Sequence, residues 1–303
     1  MIEPYMEKKI QNVFQRSPVF KLGERDRMVV VSDLHMGDGS VNDDFKRTSR
    51  LFSDVFSGYY LDNGFDLLLN GDVEELHKFV LHGIRKRWAS IYELFQRFQD
   101  ELSLMKIIGN HDMDIWSKRS EDIINEHYRS ARMKFRDAEL FFLHGHQASN
   151  YLERLHNTQR VMLRTVGNSF KLKNFTLDLG KKGVTRKEER LSSYSLRKGI
   201  MTFMGHTHRP LFGSDSRTPL LYNSGAAIGK KGITTIEIDR GRLNLVHWWD
   251  KKVVKRYLNP DRFDPERLGR RDVYRVVLKS RKLQDIFDTW SLPSRERMLT
   301  MHV

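Results

Sequence analysis

The sequence predicts an α/β fold, because short apolar segments alternate with a longer segment of helical periodicity. Five apolar segments are each followed directly by Asp, Gly or His; they are 28–32, 65–70, 104–108, 140–143 and 200–204. Apolar runs of this length are typical of strands in a sheet that is covered on both faces. Between Ile84 and Leu102, apolar residues recur every three or four positions, which predicts an amphipathic helix. Alternating strands and helices favour the α/β class.

The later part of the chain predicts strands of another kind. Segments 218–222, 232–238 and 242–249 are predicted as antiparallel strands. Asp239-Arg240-Gly241 predicts a hairpin turn between the last two of them, since turns of this kind favour Asp and Gly.

The composition bounds the class of protein and the kinds of site. Of the 303 residues, 39% are hydrophobic and 30% are charged, which is typical of a globular protein and excludes a disordered chain. The sequence contains no cysteine, which excludes disulfide bonds and thiolate metal sites. Any metal ion must therefore be bound by imidazole, carboxylate or amide oxygen.

The chain is strongly basic, with a formal net charge of +14. This charge favours an anionic partner: nucleic acid, a phosphorylated metabolite or an anionic membrane surface. The N-terminus lacks the apolar stretch of a signal peptide, and no segment approaches the ~18 consecutive apolar residues of a transmembrane helix. We therefore expect a cytoplasmic protein, with peripheral contact to the inner membrane as one use of its charge.

Charge and periodicity also predict the organisation of the chain. Residues 1–26 are predicted as an N-terminal extension and 27–250 as the main domain. Within that domain, a basic helical insertion is expected at about 149–199. Residues 251–303 are also basic and are expected to form a helical C-terminal extension.

Polar residues of the metal-binding type recur at the carboxyl ends of the apolar segments. In chain order they are Asp33, His35, Asp72, Asn110, His111, His144, His206 and His208. One such residue alone is more often a turn or a helix cap. The carboxyl ends of strands in an α/β sheet open on one crevice, however, so we expect the whole set to meet at one point.

These residue types suit a site with two divalent metal ions. Such a site needs a carboxylate that bridges both ions, and Asp72 is the candidate. Imidazole and carboxylate ligands suit manganese, which we expect first, or iron, zinc or cobalt. Two ions about 3.5–4 Å apart can clamp a phosphoryl group and lower the pKa of a bridging water, and the resulting hydroxide would attack phosphorus.

The motifs resemble those of the calcineurin-like metallophosphoesterases. The resemblance extends over about 28–225 and rests on Asp33-Leu34-His35, Gly71-Asp72-Val73-Glu74-Glu75, Gly109-Asn110-His111-Asp112, His144-Gly145-His146 and Gly205-His206-Thr207-His208. It implies a four-layer αββα sandwich with two mixed β-sheets. It also implies hydrolysis of a phosphate ester or pyrophosphate by a metal-bridging hydroxide.

The resemblance assigns a role to each motif residue. It implies one metal ion bound by Asp33, His35, Asp72 and His208, and a second bound by Asp72, Asn110, His144 and His206. His111 would contact the phosphate, together with Asn110, and protonate the leaving oxygen. Glu75 would orient His111, and Glu74 is the alternative.

Within this family, the sequence is most similar to the UDP-2,3-diacylglucosamine pyrophosphatase branch. The similarity lies in His206-Thr207-His208-Arg209-Pro210, in Tyr222-Asn223-Ser224-Gly225 and in the basic insertion. It implies that Arg209 binds substrate. His111 and His146 depart from that branch, which usually has Arg and Asp at these positions.

Three functions remain open at this point. The first is hydrolysis of a phosphorylated small-molecule or lipid-linked substrate. The second is a metal-dependent nuclease, which the net charge favours because phosphate neutralisation supplies most non-specific affinity for nucleic acid. The third is a non-catalytic scaffold, which the intact ligand set argues against. The sequence leaves the oligomeric state open.

Overall fold

A computed structural model of the chain describes residues 4–116, 123–149, 183–213, 217–229, 231–251, 265–269 and 272–290. The strands in these residues are β1 Val19–Lys21, β2 Arg27–Val31, β3 Asp66–Asn70, β4 Leu104–Ile107, β5 His127–Tyr128, β6 Ser130–Phe135, β7 Ala138–Leu143, β8 Met201–Met204, β9 Leu211–Phe212, β10 Leu221–Asn223, β11 Ile233–Asp239, β12 Arg242–Asp250, β13 Glu266–Arg267 and β14 Val273–Lys282. The α-helices are α1 Pro4–Arg16, α2 Ser49–Val55, α3 Leu81–Arg87, α4 Ala89–Glu101, α5 Arg186–Lys198 and α6 Leu283–Thr289. A π-helical turn, Phe56–Leu61, follows α2.

The strands form two mixed sheets, as the sequence predicts. One sheet has the order β1-β6-β7-β8-β10-β9, and the other has the order β13-β14-β12-β11-β2-β3-β4-β5. In the second sheet β2, β3 and β4 are parallel, while β11 and β12 form the predicted antiparallel hairpin. Segment 218–222 needs a correction: its strand is β10, which pairs parallel with β8 and antiparallel with β9.

Both sheets are covered on both faces, which explains why their strands are continuously apolar. In β2, Val29 and Val31 pack towards the helices, whereas Val30 packs between the sheets. In β7, Phe142 lies between the sheets and Phe141 packs towards the outer helices of its own sheet. This alternation follows from the two-residue period of a strand. The result is the four-layer αββα sandwich that the sequence predicts.

The outer layers are amphipathic helices. Helix α4 buries Ile91, Phe95 and Phe98 against the second sheet, and each such side chain contributes about 1.5–3 kcal/mol. The predicted single helix at 84–102 is in fact α3 and α4. They meet at Trp88, whose indole nitrogen donates a hydrogen bond to a carboxylate oxygen of the neighbouring loop.

The N-terminal residues complete the outer layer on the first sheet. Met6 and Ile10 of α1 are buried in the same cluster as Phe141 of β7 and Tyr194 of α5. Strand β1 then pairs parallel with β6. The described part of the predicted N-terminal extension (1–26), which begins at Pro4, is therefore packed against the first sheet.

The C-terminal extension, 251–303, was predicted to be helical, but the longest element of its described part is a strand. Strand β14 pairs along the whole of β12, and α6 is the short helix that follows it. The physical reason is that β12 would otherwise present an unpaired edge. Val273 and Val276 of β14 are buried, while the four basic residues of the strand hide its pattern in the sequence; they are Arg275, Lys279, Arg281 and Lys282.

Most of the predicted basic insertion, namely residues 150–182, lies outside the described residues. Its last part forms α5, which begins at a capping box between Thr185 and Glu188. No helix in the described part of the chain is long and apolar enough to cross a bilayer.

A buried ion pair lies beneath the loops that follow β3 and β4. The Lys106 Nζ atom is 2.7 Å from Glu74 Oε2, and both side chains are fully buried. Glu74 also accepts a hydrogen bond of 2.8 Å from the Tyr92 hydroxyl. The carboxylate thus has charged and neutral donors on its two oxygens, as a buried charge requires.

Replacing Lys106 by methionine is expected to lower the free energy of unfolding by about 3–5 kcal/mol, because Glu74 would become a buried charge without its ion pair. Urea unfolding measures the change. The double variant Lys106→Met/Glu74→Gln should recover part of the loss, and Lys46→Met, at an exposed site, is the control. Equal stability of Lys106→Met and the control would contradict the prediction.

Candidate metal centre

The loops that follow β2, β3, β7 and β8 meet at one edge of the sandwich. Backbone hydrogen bonds join them in pairs. Asp33 N donates to Gly71 O at 3.0 Å, and Gly205 N donates to His144 O at 3.0 Å. The His206 backbone N–H also donates to Asp33 Oδ2 at 3.0 Å, which joins a loop of one sheet to a loop of the other. The site thus lies where the two sheets meet.

The backbone at this edge is strained. Five residues of the predicted ligand set have positive φ angles of 45–67°; they are Asp33, His35, Asp72, His206 and His208. Such conformations cost of the order of 1–3 kcal/mol each and concentrate at functional sites.

Asp33, His35 and His208 form a first cluster of potential ligand atoms, all within 4.8 Å of one another. His208 Nε2 is 3.1 Å from Asp33 Oδ1 and 3.1 Å from His35 Nε2. One carboxylate oxygen and two imidazole nitrogens therefore lie close enough together to coordinate a single cation.

A second cluster, Asp72, His144 and His206, meets the same 4.8 Å limit. His144 Nε2 is 3.0 Å from Asp72 Oδ2. The other ring nitrogen, Nδ1, is 2.9 Å from Asn70 O, which orients the ring and turns Nε2 into the site. Asn110 Oδ1 is buried and accepts no hydrogen bond from a described residue. A metal ion is one partner that such an oxygen would accept.

Asp72 belongs to the second cluster and also lies close to the first. Its Oδ2 atom is 3.0 Å from His144 Nε2 and 3.9 Å from both His35 Nε2 and His111 Nε2. Its other oxygen, Oδ1, accepts a hydrogen bond of 2.8 Å from the His111 backbone N–H. One oxygen is therefore fixed by the protein, and the other faces three imidazoles.

The carboxylates of the site carry negative charge. Burial would raise the pKa of Asp33, but the imidazoles of His208, His35 and His144 together outweigh burial and lower that pKa below its usual value. Burial likewise opposes ionisation of Asp72, yet His144 and other imidazoles hold its pKa well below the usual value. Two buried anionic groups therefore attract positive charge to this edge.

The pKa values of the His144 and His206 imidazoles are shifted in opposite directions. Burial would lower the pKa of His144, but Asp72 raises it to about 9. Burial, with a contribution from His144, lowers the pKa of His206 well below the usual value, so that ring is neutral. A divalent cation would compete with the proton on His144, and metal binding is therefore expected to release protons.

Glu75 links the first cluster to His111. Its Oε2 atom is 3.0 Å from His35 Nδ1, and its Oε1 atom is 2.7 Å from His111 Nδ1. Of the two glutamates that the sequence leaves open behind His111, it is Glu75 that contacts the ring. Glu74 instead pairs with Lys106.

Glycine is required where these loops approach one another. A Cβ atom at Gly109 would collide with Asp72, and one at Gly205 would collide with Ser32 and Asp33. A side chain at either position would therefore displace a predicted ligand.

Several supporting residues were missed by the sequence analysis. Ser32 Oγ donates to Asp33 Oδ2 at 2.5 Å, and Asn223 Nδ2 donates to Gly205 O at 2.9 Å. Asp112 accepts hydrogen bonds from the backbone of Gly109 and of the loop after β3. The only signal in the sequence was that Asp112 and Asn223 lie inside the quoted motifs and that Ser32 directly precedes one.

Two basic residues lie beside the second cluster. Lys187 Nζ of α5 is 2.5 Å from His206 Nε2, a contact that the sequence did not predict. The Arg209 guanidinium forms an ion pair with Glu188 of α5. The role of Arg209 in substrate binding stays a prediction.

The chain was compared with known families and structures. Residues 27–240 match the Calcineurin-like phosphoesterase superfamily domain. No curated protein matches the chain.

Among solved structures, the chain resembles Yfce, a phosphoesterase from E. coli, at 14% identity, with 72% of this chain and 91% of that chain covered and a TM-score of 0.40. It also resembles a dimetal phosphatase from Danio rerio at 11% identity, covering 76% and 96%, with a TM-score of 0.37. Vacuolar Protein Sorting 29 from Cryptosporidium parvum is similar at 11% identity, covering 75% and 93%, with a TM-score of 0.40. Because the family match extends over more than half of its length, the chain belongs to the calcineurin-like phosphoesterase superfamily and is a metal-dependent phosphoester hydrolase.

Proposed function

We propose that the chain hydrolyses a phosphate ester or pyrophosphate at a site for two divalent metal ions. Asp33, His35, Asp72 and His208 would hold one ion, and Asp72, Asn110, His144 and His206 would hold the other. The observation that carries this proposal is the position of Asp72 Oδ2, which is 3.0 Å from His144 Nε2 in its own cluster and 3.9 Å from His35 Nε2 in the first cluster.

The ligand atoms fit divalent ions of borderline softness. They are carboxylate oxygens, imidazole nitrogens and the buried amide oxygen of Asn110. When bound, such ions neutralise phosphoryl charge and lower the pKa of a coordinated water. We propose manganese as the working ion, with iron, zinc or cobalt as alternatives.

The protein's own residues would position the phosphoryl group and supply a proton. His111 would contact that group, with its Nδ1 atom bonded to Glu75. In its protonated form the ring can donate from Nε2 to the leaving oxygen while it keeps that bond. Lys187 adds a positive charge beside the second cluster.

We propose a UDP-2,3-diacylglucosamine-like pyrophosphate as the substrate class. Support comes from the motif resemblance and from α5, the described end of the basic insertion, which brings Lys187 to the site. We further propose that the protein is cytoplasmic, and the net charge of +14 supports its contact with an anionic membrane surface. The same charge suits single-stranded DNA, so nuclease activity is the second candidate.

Chelation with EDTA is expected to abolish activity, and Mn²⁺ is expected to be among the ions that restore it. Each reconstituted form should be assayed on bis-p-nitrophenyl phosphate, p-nitrophenyl phosphate, UDP-2,3-diacylglucosamine and single-stranded DNA. A kcat/KM at least tenfold higher for the diphosphate than for the other three would support the substrate proposal. Preference for DNA, with a steep fall in activity as salt rises, would favour the nuclease instead. Turnover that survives thorough chelation would contradict the metal site.

A further inference from the structure

A cleft lies between α1 and the loop that follows β4, beside the metal centre. Its inner part has a volume of about 300 Å³ and is lined by residues that include Lys9, Gly109, Trp116, Arg129 and His146. A second cavity of about 540 Å³ shares Lys9, Trp116 and Arg129 with it and continues along α1. We call the two together the α1 cleft. Their volumes are those of small-molecule sites.

The inner end of the α1 cleft reaches the metal centre. Gly109 lines the cleft and directly precedes Asn110, a predicted metal ligand. The His146 ring, also in the wall, has its centroid 5.7 Å from that of His144 and 6.5 Å from that of His206. A group attached to a phosphorus atom at the metals could therefore extend into the cleft.

The cleft is positively charged. Lys9, Arg16 and Arg129 line it, and its described lining residues include no Asp or Glu. Its electrostatic potential therefore favours an anionic group over a neutral one.

Two of these cations are held in place by the protein. The Arg129 guanidinium carbon lies 4.9 Å from the centre of the Trp116 ring, as a cation–π contact. Lys9 Nζ donates a hydrogen bond of 3.1 Å to Ser149 O. Because they are already oriented, less side-chain entropy is lost when they bind an anion.

The wall also contains a polar atom that lacks a partner. His146 Nδ1 is buried, and no described residue forms a hydrogen bond with it. A buried polar atom of this kind requires a partner. A ligand group inside the cleft would provide one. His146 is also a position at which the sequence departs from the UDP-2,3-diacylglucosamine pyrophosphatase pattern.

We propose that the α1 cleft binds a second anionic group of a small-molecule substrate. This group belongs to the portion of the substrate that is bonded to the scissile phosphorus. This inference rests on the proposed function, and it selects substrates in which a phosphate lies next to the one that is attacked. Hydrolysis adds the oxygen of water to phosphorus and breaks the bond to the leaving oxygen, which takes up a proton. The second phosphate remains in the cleft until the product leaves.

The test measures binding and turnover separately. Binding of a methylene-bridged, non-hydrolysable analogue of a nucleoside diphosphate sugar to the Mn²⁺-loaded protein is measured by calorimetry. Turnover is measured with bis-p-nitrophenyl phosphate, which has a single anionic group. The variants are Arg129→Gln and Lys9→Gln. Arg50→Gln is the matched control, because this arginine is 96% exposed on α2 and is not among the residues that line the cleft.

We expect Arg129→Gln and Lys9→Gln each to raise the Kd of the analogue by about tenfold, the usual effect of losing a charge-assisted hydrogen bond. Turnover of bis-p-nitrophenyl phosphate should change less than twofold in both variants, which also shows that they fold. Arg50→Gln should leave both readouts unchanged.

The outcomes separate this inference from the proposed function. Unchanged analogue affinity in both variants, or no analogue binding by a wild-type protein that hydrolyses bis-p-nitrophenyl phosphate, overturns the subsite and leaves the phosphoesterase proposal intact. An effect confined to cleavage of single-stranded DNA also overturns it, because the cleft would then serve a polymer. Failure of the metal-loaded wild type on every substrate overturns the proposed function, whether or not the analogue binds.

Discussion

The Asp72→Asn variant is expected to lose activity by about a thousandfold or more and to bind fewer than two metal ions per chain. Asp72 lies close to ligand atoms of both clusters, with Oδ2 3.0 Å from His144 Nε2 and 3.9 Å from His35 Nε2. Removing its charge weakens both halves of the site together. The charge stabilisation that metal ions supply is worth several kcal/mol, and each 1.4 kcal/mol is a factor of ten in rate.

Asparagine is the informative substitution at this position. Its Oδ1 atom can still accept the hydrogen bond from the His111 backbone N–H, so the loop after β4 should keep its path. Metal content by plasma emission spectrometry and kcat on bis-p-nitrophenyl phosphate are the two measurements. Asp62→Asn is the matched control, because Asp62 is exposed. Two bound ions with near-normal turnover in Asp72→Asn would show that this carboxylate is not the bridge.

The parallel strands were predictable because they are buried on both faces. The apolar segments 28–32, 65–70 and 104–108 coincide with β2, β3 and β4 to within one residue. A polar residue that follows such a segment necessarily lies at the carboxyl end of a strand. The proximity of Asp33 to Asp72 was therefore predictable without knowledge of side-chain contacts. Strand β14 was missed because four of its ten residues are basic and only Val273 and Val276 are buried; pairing with β12 decides its structure.

The contacts among side chains were not predictable in this way. Glu74 and Glu75 are adjacent and chemically alike, and the sequence left their roles open. Only the path of the loop after β3 turns one towards Lys106 and the other towards His111. Positive φ at His35 is equally invisible in the sequence, since it is imposed by hydrogen bonds with a neighbouring loop.

The second large effect is expected at His111. The His111→Ala variant should lower kcat by roughly 10²–10⁴, the contribution of a positioned general acid, and should keep both metal ions. The ring lies beside the two clusters of potential ligand residues, with Nε2 3.9 Å from Asp72 Oδ2. The proposed ligand set does not include it. His82→Ala removes an exposed imidazole from α3 and is the control.

Comparison with Glu75→Gln separates proton donation from metal binding. Glu75 contacts both His35 and His111, so its substitution should lower metal affinity and rate together, each by about 10- to 100-fold. His111→Ala should lower the rate alone, and excess Mn²⁺ should leave that deficit unchanged. Excess Mn²⁺ should in contrast restore part of the activity of Glu75→Gln. If His111→Ala lost metal as Glu75→Gln does, His111 would be a ligand or a ligand support, and the leaving oxygen would need another proton donor.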